Sequence, residues 1–443
     1  MTQFVGRHVS PEMLVLGLLE LLLTFALAYI LLAPPAGGIF VPQAAHQALV
    51  CALTVGFIAF VVGLYRPQIF QRARSLVINT VLSALLSFPA VWLVSKGLGL
   101  SAYWPVAYDS LRPVKIVLIW SSALVAIRFL FLLATRWNLF VHRVAVAGAV
   151  DSPSALAAVH AGRKGFLEIT VVSPEHASAL LLSRERIRTV VFSSHNEQAV
   201  VPAIANEYRR RRIRIESEAE FWERHLRRVD IAGLDQAWFA ELDRTPVHRL
   251  TAAVTRSMDI LTSLALLLTT LPLMLFVAVL VCLDSPGPIL YRQERVGRDG
   301  QSFTLLKFRS MRANAEATGP TWAQQRDPRV TRIGLFMRRT RIDELPQLIN
   351  ILRGEMSFIG PRPERPHFVE QLADAIPFYR ERARVKPGLT GWAQVNYPYG
   401  ASVEDAKAKL SYDLYYVKNR SLLLDILILL STVRVILFQE GAR

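Results

Sequence analysis

The sequence predicts a membrane α-helical bundle, then soluble α/β structure, then a second α/β region that is itself attached to the membrane. Three observations predict this. The first third carries four apolar segments of spanning length, roughly residues 13–33, 48–65, 76–94 and 114–134. From about residue 142 the composition turns soluble, and short apolar strands alternate with helical stretches. A further apolar run at 260–283 precedes a mixed polar and apolar remainder. The domains expected are therefore 1–140, 141–245 and 246–443. With 52% hydrophobic residues among 443, the chain is too apolar for a purely soluble protein. Its net charge of +16 implies contact with anionic lipid, nucleotide or nucleic acid. Cys51 and Cys282 both lie in apolar runs and the nine histidines lack metal-ligand spacing, so neither a disulfide framework nor a zinc site is expected.

In the bundle, the first span is too long for the apolar core of a signal peptide and reads as an anchor. Arg66, Arg72 and Arg74 join the second and third spans, and Arg136 and Arg143 follow the fourth. Residues 33–47 carry no Lys or Arg, so both ends of the bundle are expected in the cytoplasm. Glu20 and Arg128 fall inside spans, where they either mark a polar pathway or pair structurally, and no function is assigned to them.

In the middle domain, residues 143–148 read as a buried strand ending at Gly148, and 152–160 as the start of a helix. Residues 188–193 read as a second strand, 197–212 as a helix and 213–215 as a third strand. This is a doubly wound, Rossmann-like pattern. A dinucleotide fingerprint needs G-x-G-x-x-G at the first turn. Here Gly148 stands alone before Ala149, Val150 and Asp151, so the signal for NAD is weak, and a fold kept for regulation or assembly is preferred. The arginines at 209–212 lack aromatic interleaving and read as a solvated or membrane-facing helix end, so no nucleic acid is expected.

The run at 260–283 is long enough to span, but Arg244, Arg249 and Arg256 precede it and Arg292, Arg295 and Arg298 follow it. Crossing would violate the charge bias at one end. Pro272 divides the run into two short halves, which favours a re-entrant helix over about 258–283 that enters and leaves the same leaflet. Next comes a turn and a strand at 284–297, then a strand at 303–311 with Lys307 and Arg309 on one face. Two cations so placed could hold a pyrophosphate or touch lipid headgroups.

The stretch 340–364 carries the strongest chemical signal. Asp343 and Glu344 precede an apolar run, Leu345, Leu348, Ile349, Ile351 and Leu352, which closes at Gly354. That reads as a short helix with Asp343 as N-cap, ionised and available as nucleophile or metal ligand. Pro346 fits the first helical turn, and a helix start attracts phosphate. Gly360, Pro361, Arg362 and Pro363 make a stiff turn that presents one guanidinium suited to bidentate phosphate contact. An acid pair before a helix is most often only a cap. Carboxylates, a helix start and an arginine together point instead to phosphoryl chemistry.

The order SPGP, QERVG, KFRSM, RRTRIDELPQLIN, GEMSFIGPRPE, KPGLTGWAQVN and DLYYVKNRSLLLD, from about 249 to 438, resembles the bacterial sugar transferase family, the monotopic phosphoglycosyl transferases. The preceding bundle and α/β domain resemble its larger members, the undecaprenyl-phosphate hexose-1-phosphate transferases. One departure is visible: where the family often has Ser-Pro at the break of its re-entrant helix, this chain has Leu271-Pro272 after Thr269 and Thr270. The resemblance implies that hexose-1-phosphate passes from a UDP-sugar to undecaprenyl phosphate with release of UMP, initiating a surface glycan such as exopolysaccharide or capsule. It makes Asp343 the nucleophile and Glu344 the residue associated with Mg²⁺, a cation commonly held by carboxylates and substrate phosphates together. It surrounds the phosphates with Lys307, Arg309 and Arg362. Trp392 and Gln394 are further candidates for nucleotide or lipid-phosphate contact, although packing accounts for Trp392 equally well. The implied partners are UDP-sugar, undecaprenyl phosphate and membrane lipid at the bacterial inner membrane, with catalysis on the cytoplasmic side and homo-oligomerisation left open. A membrane scaffold or nucleotide sensor without turnover is the alternative, and the intact Asp343-Glu344 pair argues against it. Finally, 421–438 reads as an interfacial helix, because Asp425 and Arg434 would be penalised in hydrocarbon.

Overall fold

A computed structural model describes residues 11–32, 42–65, 73–99, 112–137, 142–147, 167–172, 187–192, 208, 210–211, 213–234, 236–244, 249–312, 327–397, 400 and 402–437. The chain forms two compact units, Met1–Phe221 and Trp222–Arg443.

Four helices open the first unit: α1 (Pro11–Leu32), α2 (Pro42–Val61), α3 (Ala73–Gly97) and α4 (Arg112–Arg136). Among the described residues, Glu12–Ile30, Pro42–Val61, Leu76–Gly97 and Leu250–Asp284 are long and apolar enough to cross a membrane, and Trp120–Ala134 is a shorter apolar stretch. Leu18, Leu22, Leu85, Leu93 and Leu130 are exposed on the outside of the bundle, as lipid-facing side chains must be. Inside it, Arg128 is fully buried. Its Nη2 donates to Glu20 Oε2 at 2.7 Å and its Nη1 to Thr80 Oγ1 at 2.8 Å, while Tyr65 Oη donates to the same Glu20 oxygen at 2.8 Å. The pair thus joins α1, α3 and α4, and each buried charge has hydrogen-bonded partners, the condition for keeping ions in a low-dielectric interior. Of the two sequence readings, this is the structural one. Loop residues 66–72, which include Arg66 and Arg72, lie outside the described residues, as do Gly148–Asp151, the helix start at 152–160 and most of the helix at 197–212.

Four parallel strands follow: β1 (His142–Ala147), β2 (Leu167–Val172), β3 (Thr189–Phe192) and β4 (Arg214–Ser217), in the order β2-β1-β3-β4. Ala145, Val190, Phe192 and Tyr208 form their core. Sequence reading supplied β1, β3 and β4 and missed β2. That strand lies at the sheet edge with Glu168 and Thr170 exposed, so it lacks the unbroken apolar run of a strand buried on both faces.

The second unit gathers the short helix α5 (Gln236–Arg244), the long helix α6 (Arg249–Asp284), an antiparallel hairpin of β5 (Leu290–Val296) and β6 (Ser302–Phe308), α7 (Arg332–Thr340), α8 (Gln347–Arg353), the parallel pair β7 (Ser357–Ile359) and β8 (Gly388–Thr390), α9 (Val403–Asn419) and α10 (Leu422–Leu437). Leu305, Leu348, Ile351, Met356, Tyr415, Leu424 and Ile428 are in its core, and so are Val229, Ile231 and Trp238. Residues 222–244, which sequence reading grouped with the middle domain, therefore pack with this unit.

Helix α6 runs for 36 residues, roughly 54 Å, unbroken through Pro272. Pro272 has no N–H to offer the preceding turn, and beside it Thr269 Oγ1 donates to Ala265 O at 2.9 Å and Thr270 Oγ1 to Leu266 O at 2.6 Å. The middle of α6 is bare, with Leu268, Leu271, Leu275 and Phe276 exposed. Both ends are bonded into the unit. Arg256 donates to Ile351 O at 2.6 Å and Leu352 O at 2.7 Å, and buried Asp259 accepts from Ser357 Oγ at 3.1 Å and Phe358 N at 3.0 Å. At the other end Val277 and Val281 pack with Phe308 and Met337.

On α10 the two charges, Asp425 and Arg434, are buried in protein. Asp425 accepts from Tyr416 Oη at 2.9 Å, and the exposed residues include Ile426, Val433 and Ile436. Packing of Leu424 and Ile428 into the core turns the polar side inward.

Candidate active site

Helix α7 stops at Arg341, whose left-handed backbone (φ 60°) turns its N–H back to Met337 O. A 3₁₀ turn, Ile342–Glu344, follows; Leu345 and Pro346 keep right-handed helical angles into α8. Asp343 therefore does not cap α8. Pro346 holds that position, and no side chain caps the helix. The expectation that capping keeps Asp343 ionised is overturned with it. Asp343 is only 6% exposed, and its Oδ1 has no hydrogen-bond partner among the described residues. Burial, followed by the neighbouring Glu344 charge, raises its pKa from the ordinary aspartate value.

Glu344, 7% exposed, has the opposite surroundings. Its Oε1 lies 3.0 Å from Arg362 Nη2, 3.2 Å from Lys307 Nζ and 3.6 Å from Arg341 Nη1. Burial pushes its pKa up, but Lys307, Arg362 and Arg341 outweigh burial and hold the carboxyl well below its ordinary value. Burial also lowers the pKa of Lys307, against the pull of Glu344.

The three cations are positioned by separate elements, Arg341 by the end of α7. Lys307 comes from β6, which Asn350 of α8 pins by accepting from Leu306 N at 3.1 Å and donating to Thr304 O at 2.7 Å. Arg362 follows β7 in the turn begun by Gly360, where a Cβ would lie 2.2 Å from Lys386 O, so only glycine permits this approach. Arg382 donates to Arg362 O at 3.1 Å and is itself fixed by Asp413 at 2.7 Å; Arg295 donates to Pro363 O at 2.9 Å. Sequence reading missed Arg341, Arg382, Asp413 and Arg295. The i,i+3 spacing of Arg341 and Glu344 was a usable signal. For Arg382 and Asp413, far apart in sequence, there was none.

The other expected site residues Arg309, Trp392 and Gln394 each make bonds within the fold. Arg309 is beyond the end of β6, so strand alternation no longer places it beside Lys307; its Nη2 donates to Val281 O at 3.1 Å and Ser285 O at the end of α6. Trp392 is packed within the fold: its Nε1 donates to Arg227 O at 2.9 Å and its ring stacks on Tyr415 at 6.1 Å. Gln394 Nε2 donates to Leu389 O at 3.3 Å. Pro272 lies in α6, within its bare middle.

Among the described residues no group of three or more His, Cys, Asp or Glu could hold a metal ion by itself. Two adjacent acids, one with an unpartnered buried oxygen, do fit a hard cation that takes its other ligands from substrate phosphates. Three cations gathered on Glu344, with the buried Asp343 carboxyl next to it, make an arrangement able to bind phosphate.

Residues 250–439 match the family described as bacterial sugar transferase. The chain is 43% identical over 187 residues to the exopolysaccharide production protein PSS of Rhizobium leguminosarum, covering 40% of this chain and 92% of that protein. It is 47% identical over 216 residues to the UDP-N-acetylgalactosamine-undecaprenyl-phosphate N-acetylgalactosaminephosphotransferase of Aeromonas hydrophila, covering 49% of this chain and 50% of the relative. It is 42% identical over 191 residues to the UDP-glucose:undecaprenyl-phosphate glucose-1-phosphate transferase of Escherichia coli, covering 43% of this chain and 41% of the relative. The matched stretches thus span about half or less of the length of these last two relatives. With the Rhizobium protein matched over nearly its whole length, the chain belongs to the bacterial sugar transferase family.

Proposed function

We propose that this protein transfers hexose-1-phosphate from a UDP-sugar to undecaprenyl phosphate, giving undecaprenyl-diphosphate-hexose and UMP, as the first membrane step of a surface glycan. The observation that carries this reading is buried Asp343, its Oδ1 unpartnered, next to a Glu344 ringed by Lys307, Arg341 and Arg362. The names of the relatives supply the substrate class: undecaprenyl phosphate, with UDP-glucose or UDP-N-acetylgalactosamine.

In the first step an Asp343 oxygen attacks the β-phosphorus. The bond from that phosphorus to the oxygen bridging the two phosphates breaks, and its electron pair leaves with UMP. An oxygen of undecaprenyl phosphate then attacks the same phosphorus and restores the Asp343 carboxylate. Lys307, Arg341 and Arg362 take up the phosphate charge and align it with Asp343. Glu344 holds these three cations together before substrate arrives. Mg²⁺, bound by Glu344 and the free Asp343 oxygen with the substrate phosphates, would neutralise charge on the pyrophosphate.

The same proposal assigns 1–140 to the transmembrane bundle, a Rossmann-like role to the middle domain, and a cytoplasmic position to the catalytic region on the inner membrane. It makes α6 a re-entrant helix. Both its ends are bonded into one compact unit while its middle is exposed, which supports entry and exit on one face. Purified protein presented with undecaprenyl phosphate and a panel of UDP-sugars should release UMP with at least one of them. Nucleotide binding without UMP release across the panel would overturn the enzyme reading.

A further inference from the structure

We propose that Gln347 is a further catalytic residue of this site, its Nε2–H donating to a non-bridging oxygen of the phosphoryl group as it passes to and from Asp343. The inference rests on the phosphoryl-transfer reading proposed for the site. Gln347 is 3% exposed, and its Nε2 is buried with no hydrogen-bond partner among the described residues. A buried amide donor left unpaired is costly, and folds seldom keep one without a use. The same helix shows what a structural amide looks like. Asn350 is fully buried and its side chain is bonded to Leu306 N, Thr304 O and, at 2.6 Å, Glu355 Oε2. The fold uses Asn350 on every side and leaves the Gln347 donor unused.

Gln347 lies four residues after Asp343. Leu345 and Pro346 both hold right-handed helical angles, so the two residues lie within little more than one helical turn of each other along the chain. Asp343 Oδ1 and Gln347 Nε2 are thus a buried acceptor and a buried donor, both unpartnered among the described residues and four residues apart in the chain. When phosphorus bonds to the Asp343 oxygen, negative charge gathers on the phosphoryl oxygens beside this turn, and a fixed neutral donor there stabilises it without competing for Asp343 as a further cation would. The step moves no proton to or from Gln347: the amide donates a hydrogen bond as the bond to Asp343 forms and as it breaks.

The test is rapid-quench measurement of UMP release by the full chain in lipid nanodiscs, using the best UDP-sugar of the panel, for wild type, Gln347→Met and Gln347→Glu. UMP release by wild type and its loss in Asp343→Asn establish the transfer reading independently; an active Asp343→Asn overturns that reading and this inference together. With that control met, both Gln347 variants should slow the UMP burst about 100-fold, with KM changed less than about threefold. Because the methionine fills the same space and removes an unpaired donor, Gln347→Met should melt at or above the wild-type temperature. A burst within about threefold of wild type in Gln347→Met overturns the inference. So does a melting temperature lowered by more than about 5 °C in Gln347→Met, or its failure to fold, since either would make the amide part of the fold.

Discussion

Asp343 and Glu344 are adjacent, yet their surroundings drive their carboxyl groups in opposite directions. The physics makes separate predictions for each. Asp343 is raised in the fold, so its neutral form is favoured there; its contribution to stability is present at low pH and is lost as pH rises through the raised pKa. Asp343→Asn should therefore abolish turnover and yet melt above wild type at neutral pH, with the difference narrowing as pH falls; thermal melts across a pH series check this. As a nucleophile Asp343 must be ionised, so the acid limb of the wild-type rate should be shifted up from that of an ordinary aspartate, read from kcat/KM against pH. Glu344 is depressed in the fold, so its contribution is present above its unfolded pKa and lost as pH falls through the folded one. Glu344→Gln should cost about 2 kcal/mol at neutral pH, because it leaves Lys307 buried beside two arginines without a counter-charge, and the deficit should shrink in acid. The Asp-Glu pair was legible because two adjacent acids, a helix start and the arginine of a stiff turn stand together in one short stretch. Their opposite environments were not, since burial and the three cations come from β6, the end of α7 and the turn after β7.

At the scale of elements, α6 and α8 are coupled by Arg256, which satisfies the last carbonyls of α8, and by Asp259, which holds the first residues of β7. The dyad precedes α8 and Arg362 follows β7, so both halves of the site are fixed to one membrane helix. Arg256→Met should lower kcat about tenfold with little change in KM, because orientation is lost while the binding cations are kept; steady-state kinetics and a thermal melt together check it. The long apolar elements were readable because twenty apolar residues in a row have few other uses. The α8 boundary was misplaced by three residues, the cap being Pro346 and not Asp343. Asp before an apolar run suits an N-cap, but here a 3₁₀ turn comes first and Pro346 starts the helix. Arg309 failed for a similar reason: period-two alternation holds only while the strand lasts, and β6 ends at Phe308.

At the scale of the whole molecule, the account requires a membrane-embedded bundle and a catalytic unit whose own helix enters the bilayer and returns. Cysteines placed at Leu250 and Asp299 should react with a membrane-impermeant thiol reagent from the same, cytoplasmic side; labelling from opposite sides would make α6 a true span. The central claim is that Asp343 carries the sugar phosphate between the two substrates. Intact-protein and peptide mass spectrometry after brief exposure to UDP-sugar and Mg²⁺, with no lipid acceptor, tests it most directly. The account predicts about one UMP released per site and a hexose-phosphate adduct on the peptide containing Asp343, discharged on adding undecaprenyl phosphate. Absence of that adduct under conditions that support turnover with lipid would contradict it and leave direct attack by the lipid phosphate.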